Sequence, residues 1–470
     1  MERLTRKGFV GVVVGAALGT VARADSAEST VSGSKLAFAA ELPIKVDTDV
    51  FIAGGGPAGI AAAVAAARCG AHVFLAEGAG CFGGAATSAH VPSFAPFTDG
   101  VRDVCGGIGT ELRKMVSKDV PFETEWACIN MEELKNAADR LVSEAGADFS
   151  FFTRVVAAVS EGGRIRHVVL SGKGGLFAAR AKVFVDCTGD GDLLAYAGAK
   201  WLLGDETGAV QPPTLCSTWA NVDFAHRGGS QQGDLPKAID NGVFSVADYE
   251  LSGIIDEMPG AKGVGVGNIG HCFGVNPIDE RSLTAAVRDA RRRLPEYERY
   301  YKTYLKGYEK MDLVSTAPQL GVRESRRIVC DYMLSVRDFE ARASFPDEIG
   351  RCAYPVDQHP LVPGRAAFDA MQEDFLRKYR YKKGESYGIP YRTLLPKGIV
   401  NGLVAGRCIG TDRKMQGSVR VIPGCFVTGQ AAGIAAALAC GCDSDVRAVS
   451  TPALRAKIRS FGGYLPTCEA

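Results

Sequence analysis

The chain has 470 residues, 46% of them hydrophobic and 23% charged, the proportions of a soluble globular protein with a large core and room for two or three domains. Lys and Arg number 54 against 53 Asp and Glu, for a formal net charge of +1, so nothing draws the chain generally to nucleic acid or to an anionic membrane. The 57 glycines point to many tight turns and close backbone approaches.

The N-terminal segment MERLTRKGFVGVVVGAALGTVARADS opens basic, is apolar from Phe9 to Val21 and ends small-x-small at Ala22-Arg23-Ala24. That is the layout of a secretory signal peptide covering residues 1–24. Its apolar run is short and rich in Gly and Ala for a membrane span. Thr5-Arg6-Lys7-Gly8-Phe9-Val10 resembles the twin-arginine export motif with Lys in place of the second Arg, and a general secretory signal fits the same segment. The expected location is periplasmic or extracellular, with no stable membrane insertion after cleavage. Residues 25–45 read as a polar linker. The 14 cysteines lie mostly in apolar runs, as at Cys187, Cys330 and Cys425, where a free thiol behaves as a small hydrophobe. No C-x-x-C occurs, and no zinc spacing, so no metal is expected.

Val50-Phe51-Ile52-Ala53 has the pattern of a buried strand. Gly54-Gly55-Gly56-Pro57-Ala58-Gly59 follows and fits G-x-G-x-x-G; Ile60 to Cys69 continues as an Ala-rich helix. His72-Val73-Phe74-Leu75-Ala76 is a second strand, ending in the acid Glu77. Gly54 permits a tight turn, and Gly56 lets a pyrophosphate approach the backbone. Gly59 and Ala63 let helix and strand pack closely. The helix N-terminus faces the phosphates, and Glu77 can bond a ribose hydroxyl. With every part in place, the stretch reads as an adenine dinucleotide site. Gly265-Val266-Gly267-Asn268-Ile269-Gly270 has the same spacing but no apolar strand before it and no amphipathic helix or acid after it, and reads as a loop. Gly172 to Gly175 reads as a hairpin turn between Val168-Val169-Leu170 and Leu176-Phe177-Ala178. One dinucleotide site is therefore expected, and no second one for a nicotinamide cofactor.

Three later segments favour FAD. Gly80-Cys81-Phe82-Gly83-Gly84-Ala85 is a second glycine turn directly after the acid, suited to a long extended ligand. Strand-like alternation from Thr153-Arg154-Val155-Val156 to Val183-Phe184-Val185-Asp186 ends in Cys187-Thr188-Gly189-Asp190-Gly191-Asp192. A late strand and turn, Gly402-Leu403-Val404-Ala405-Gly406-Arg407, precedes a small-residue helix over Gly424 to Ala435, whose positive end would stabilise a reduced flavin ring.

Together GGGPAGIAAA, FGGAAT, AKVFVDCTGDGDLLAYAGA, GVRESRRIV, YPVDQH, YGIPYRTLLPKGIVNGLVAGRCIG and GSVRVIPGCFVTGQAAGIAAA resemble the FAD-dependent oxidoreductase family, including flavoproteins like heterodisulfide reductase A. The likeness covers nearly everything after residue 45. It implies an α/β fold: a Rossmann-like FAD-binding domain of glutathione-reductase type in two parts, 46–200 and 386–445, with an inserted α+β substrate or cap domain over 201–385 and a tail over 446–470. It also implies that backbone near Val155 touches adenine and that Thr188-Gly189 lies by the phosphates. Gly406 and the turn at Gly429-Gln430 would approach the ribityl chain and the ring. Heterodisulfide reductase relatives bind an iron–sulfur cluster through grouped cysteines; that grouping is absent here, and no cluster is expected.

Within the expected cap, the polar residues of these motifs are the candidates for chemistry beside the flavin. His359 in YPVDQH is the candidate acid/base, since imidazole titrates in the useful range. Arg323 or Arg420 would hold a polar or anionic substrate group through the planar guanidinium fork. Arg323, Glu324 and Arg326 could instead form an internal ion-pair network. Tyr391-Arg392 is a further polar pair in these motifs. His271 reads as a loop residue, and Arg288 to Arg293 as the solvated face of a helix. The expected activity is hydride exchange between FAD and a small organic substrate by an exported flavoenzyme; the alternative is a flavin-bearing electron carrier with a protein redox partner.

Overall fold

The computed structural model describes residues 29–32, 35–117 and 126–466, so the signal segment lies outside the described residues. Within the segment read as a linker over 25–45, Ser29–Ser32 and Lys35–Phe38 pair as antiparallel strands in a unit that ends at Pro43. The main unit starts at Ile44.

Strand β1 (Ile44–Ala53) carries the buried run Val50 to Ala53 and leads through the glycine loop into helix α1 (Pro57–Arg68). The chain returns as β2 (Val73–Ala76), parallel to β1. β3 (Asp148–Ser150) adds in parallel outside β2. β4 (Arg154–Glu161), β5 (Arg164–Gly172) and β6 (Gly175–Asp186) follow as a meander, and the sheet order is β3-β2-β1-β6-β5-β4. Gly175 pairs with Gly172, the expected hairpin. β6 runs parallel to β1 from Ala178 to Asp186, which sets the end of β6 beside the glycine loop.

The inserted region builds a second antiparallel sheet from β7 (Ser217–Ala220), β8 (Gly253–Glu257), β9 (Gly265–Asn268) and, after the long helix α2 (Glu280–Tyr304), β10 (Asp312–Thr316). Its order is β8-β9-β7-β10. Its own core holds Trp219, Tyr297, Tyr300, Tyr301, Tyr308 and Met311. Residues from Ile328 to Ile389 pack instead into the core of the first sheet, so the separately cored region is narrower than 201–385. The expectation of a loop at Gly265–Gly270 is overturned, because β9 occupies most of it. There the glycines answer to packing: a Cβ on Gly265 would lie 2.6 Å from Ile254, and one on Gly267 3.2 Å from the Trp219 indole.

The late strand β11 (Gly402–Val404) pairs in parallel with the end of β6, as Phe184↔Gly402 and Asp186↔Val404. Helix α3 (Ile422–Ala439) then packs across α1. It is long and apolar enough to cross a membrane, yet 89% of it is buried, which makes it a core helix. Gly429 and Gly433, one turn apart, allow this crossing: a Cβ on either would lie 2.1 Å from the backbone carbonyl oxygen of Ala58 or Ala62.

That geometry sets an expectation. Gly433→Ala forces α1 and α3 apart and costs about 1–3 kcal/mol of stability, the range for overpacking a full core. Thermal unfolding of wild type and variant measures it; an unchanged midpoint would show that the crossing has slack.

Candidate active site

A cavity of about 1220 Å³ runs from the glycine loop to the inserted region. Gly54, Gly56, Pro57, Ala58, Glu77 and Gly84 line its first end. Gly54 has φ +93°, and a Cβ there would lie 2.6 Å from the Cys187 carbonyl oxygen, so only glycine makes this turn beside β6. A Cβ on Gly59 would lie 1.8 Å from the Gly54 carbonyl oxygen, which is the close helix-to-strand packing expected of it. Gly56 is different: a Cβ there would meet only the Gly84 Cα, at 4.0 Å. Its bareness serves the cavity and not the protein's own packing. The N-terminus of α1 opens onto this space, and a pyrophosphate fits such a cradle, because it needs bare backbone and unpaired helix N–H groups. Each oxygen of the Glu77 carboxylate accepts a backbone N–H, from Gly55 and from Ala79, both at 2.6 Å, so the acid braces the loop as well as facing the cavity.

Val155, Thr188, Gly189 and Gly406 also line the cavity. Among the described residues, Gly83, Gly59, Gly429 and Gln430 are not on its wall. Gly83 donates its N–H to the Gly55 carbonyl at 2.9 Å and takes φ +106°. The implied approach of Gly429-Gln430 to the ring is corrected: Gly429 packs on Ala58, and the Gln430 side chain accepts the Ile108 N–H at 2.8 Å. The physical reason is that α3 starts at Ile422, so residues 429 and 430 lie about two turns inside the helix. Arg420 and Val421, which lead into the helix, and Ile422 and Cys425 of its first turn supply the wall instead.

The other end of the cavity is polar, and Arg323, Arg420, Asp357, His359, Glu250 and Asn268 line it. Arg323 is buried; its guanidinium donates to the Pro212 carbonyl and Thr214 Oγ1, both at 2.8 Å, and to Asn268 Oδ1 at 3.1 Å. It takes no part in an ion pair with Glu324, which pairs with Arg327 and Arg413, while Arg326 pairs with Asp192. Arg420 lies 3.5 Å from the Asp357 carboxylate, and its Nε–H is buried with no acceptor. His359 Nδ1 lies 2.8 Å from Glu250 Oε1, misaligned for a hydrogen bond, and its Nε2 lies 3.6 Å from Asp357. Arg392 points away to Asp347, and the Tyr391 hydroxyl donates to the Val446 carbonyl.

His271 is not the plain loop residue expected. It is buried, lies three residues past the end of β9, bridges to Thr214 and sets Nδ1 3.0 Å from the Asp248 carboxylate. Its ring centre is 5.1 Å from that of His359. Of the run Arg288 to Arg293, read as a solvated face, Arg288, Arg291 and Arg292 are exposed, and the reading is corrected at Arg293 alone. Arg293 shares the buried face of α2 with Ala286, Ala290 and Leu294 and donates to the His271 carbonyl at 3.0 Å; Arg288 and Arg291 line the cavity. Burial alone would raise the pKa of Asp248, Glu250 and Asp357. The neighbouring imidazoles, and for Asp357 also Arg420 and Arg323, hold all three below the ordinary carboxylate range. Asp248 and Glu250 escaped the sequence reading. Their only local signal is the alternation Asp248-Tyr249-Glu250, and the partners they meet are distant in sequence.

The contrast between the two glycines is testable. Gly56→Val should leave the apoprotein folded, with unfolding close to wild type, yet remove FAD, because its methyl groups fill the cradle. Gly59→Val should fail to fold. Flavin released by acid and separated by chromatography, alongside circular dichroism, reads both. A yellow Gly56→Val protein would contradict the cradle.

The model of the FAD dependent oxidoreductase family matches residues 49–458. The match does not extend to the narrower likeness to heterodisulfide reductase A. No curated protein matches the chain. Among solved structures, a geranylgeranyl bacteriochlorophyll reductase-like protein from Thermoplasma acidophilum is 15% identical at a TM-score of 0.44, over 88% of this chain and 83% of that one. The p-nitrophenol 4-monooxygenase PnpA from Pseudomonas putida DLL-E4 is 12% identical at 0.43, over 88% and 84%. The myxobacterial chondrochloren halogenase CndH is 15% identical at 0.41, over 88% and 79%. With the family model spanning the glycine cradle, the inserted sheet and the late helix alike, the chain belongs to the FAD-dependent oxidoreductase family, and FAD is its cofactor.

Proposed function

We propose that the protein exchanges a hydride between bound FAD and a small anionic organic substrate whose charged group is held by Arg323 and Arg420. One observation carries the reading. At the end of the cavity away from the glycine loop, Arg420 presents a buried Nε–H with no acceptor, and Arg323 lines the same wall. A buried guanidinium donor left unpaired is costly, and an anionic oxygen from a ligand removes that cost. The flavin supplies the electron chemistry when bound, and the protein supplies position and charge. The first turn of α3 adds the positive end of a helix dipole to the same wall. We further propose that the protein is exported and that the mature chain begins near Asp25, on the strength of the Ala22-Arg23-Ala24 site.

A screen of small organic acids and their neutral analogues, followed by bleaching of the flavin band, tests the substrate class. Arg420→Ala should keep FAD and lower kcat/KM for the anionic substrate about 10- to 100-fold, the loss of one charge-assisted hydrogen bond. Arg420→Lys keeps the charge but not the fork and should fall between. Equal bleaching by neutral and anionic compounds, or full activity in Arg420→Ala, would sink the reading.

Export has its own measurement. Protein recovered from the periplasm or medium should start near Asp25 on N-terminal sequencing, whereas a start at Met1 rejects cleavage.

A further inference from the structure

We propose that Glu250, His271 and His359 form a binding site for a first-row transition-metal dication in the polar wall of the cavity. The three come from separate segments: Glu250 precedes β8, His271 follows β9, and His359 lies beyond β10 in sequence. One ligand atom from each lies within 4.8 Å of the others. Glu250 Oε2, His271 Nε2 and His359 Nδ1 are all buried, and among the described residues none has a partner in hydrogen-bonding geometry, though His359 Nδ1 lies 2.8 Å from Glu250 Oε1. Their side chains are 12%, 3% and 6% exposed.

The proton positions sharpen this. A hydrogen on Nδ1 of His271 satisfies the Asp248 carboxylate, whose Oδ2 lies 3.0 Å away. The backbone N–H of His271 donates to the same carboxylate at 2.9 Å, which fixes the ring. Nε2 then turns a lone pair toward Glu250 Oε2, 3.9 Å away, which is also an acceptor. Two acceptors facing each other in a buried place, with no donor between them, call for a cation. A carboxylate that holds the far nitrogen of an imidazole is the usual support of a metal-bound histidine.

The donor set selects the metal. Two imidazole nitrogens and one carboxylate oxygen suit zinc, cobalt or ferrous iron, and not calcium or magnesium, which take oxygen ligands. Glu250 and His359 line the cavity, so the bound ion would keep a side open to a substrate oxygen. In this assignment His359 is a ligand, and the proton-carrier role expected of it falls away. The site stands apart from the anion reading of Arg323 and Arg420, and its test needs no turnover.

Elemental analysis of the purified, dialysed holoprotein should find metal in proportion to FAD. After chelator treatment, Zn²⁺ titrated into the FAD-loaded protein should bind at a single site by calorimetry. His271→Ala should abolish that binding while the flavin band remains. Asp248→Asn removes no ligand, and it should weaken Zn²⁺ affinity about 10- to 100-fold. If His271→Ala does not fold, Asp248→Asn decides. A metal-free holoprotein that takes up no Zn²⁺, or Zn²⁺ binding unchanged in both variants, overturns the proposal and leaves a proton as the cation between the two groups.

Discussion

The cavity depends on bare backbone at the meeting of β1, α1, β6 and α3. Gly54 turns against the Cys187 carbonyl, Gly59 backs onto Gly54, and Gly429 and Gly433 lie on Ala58 and Ala62. Any side chain at these points would push an element outward. Because none is present, the first turns of two helices, α1 and α3, reach the same cavity. Unpaired N–H groups at a helix start carry partial positive charge that falls off within a turn. Close packing of backbone is therefore what brings two ordinary helix starts to the wall of one cavity.

The polar wall is held in a different way. Its charged groups are buried, and buried charge is tolerated only when paired and hydrogen-bonded. The inserted sheet does much of this pairing: Thr214 and Asn268 fix Arg323, Asp248 fixes His271, and the Arg293 side chain bonds the His271 carbonyl. α2 and β9 thus act as a scaffold for a wall whose other members, Asp357, His359 and Arg420, come from segments joined to the first sheet's core. Among the described residues, Glu250 Oε2, His271 Nε2, His359 Nδ1 and Arg420 Nε of that wall have no hydrogen-bond partner, which sets them apart from structural ion pairs such as Arg351 with Glu348.

The cofactor end was legible in the sequence, and the wall opposite was not. Gly54 to Glu77 could be read because motif, strand, helix and acid are local and in order. The same spacing at Gly265 misleads: glycine has low strand propensity, and its place in β9 comes from Trp219 and Ile254, residues the local pattern does not reveal. Gln430 was set at the ring because the likeness implied a turn there, whereas it lies about two turns inside α3, where its side chain meets Ile108. Arg293 lies in a run of charges, yet the helical period carries it onto the face of Ala286, Ala290 and Leu294. Glu250 and His271 meet His359 only through long-range packing, which no spacing in the chain announces.

The pairing of β6 with β11 joins residues 184–186 to 402–404, more than two hundred positions later. Asp186 at the end of β6 leads to Thr188 and Gly189 on the cavity, and β11 leads to Gly406 on the same cavity. The walls are thus drawn from both ends of the chain. Closing so long a loop is entropically expensive and slow compared with forming a local helix. On a ribosome, β1, α1 and β2 emerge early with only half a cradle, and the other half appears after nearly the whole polypeptide has been made. Flavin loading is therefore a late event in the life of each molecule, and a chain stopped short of residue 402 would carry the glycine loop without the means to retain what it grips.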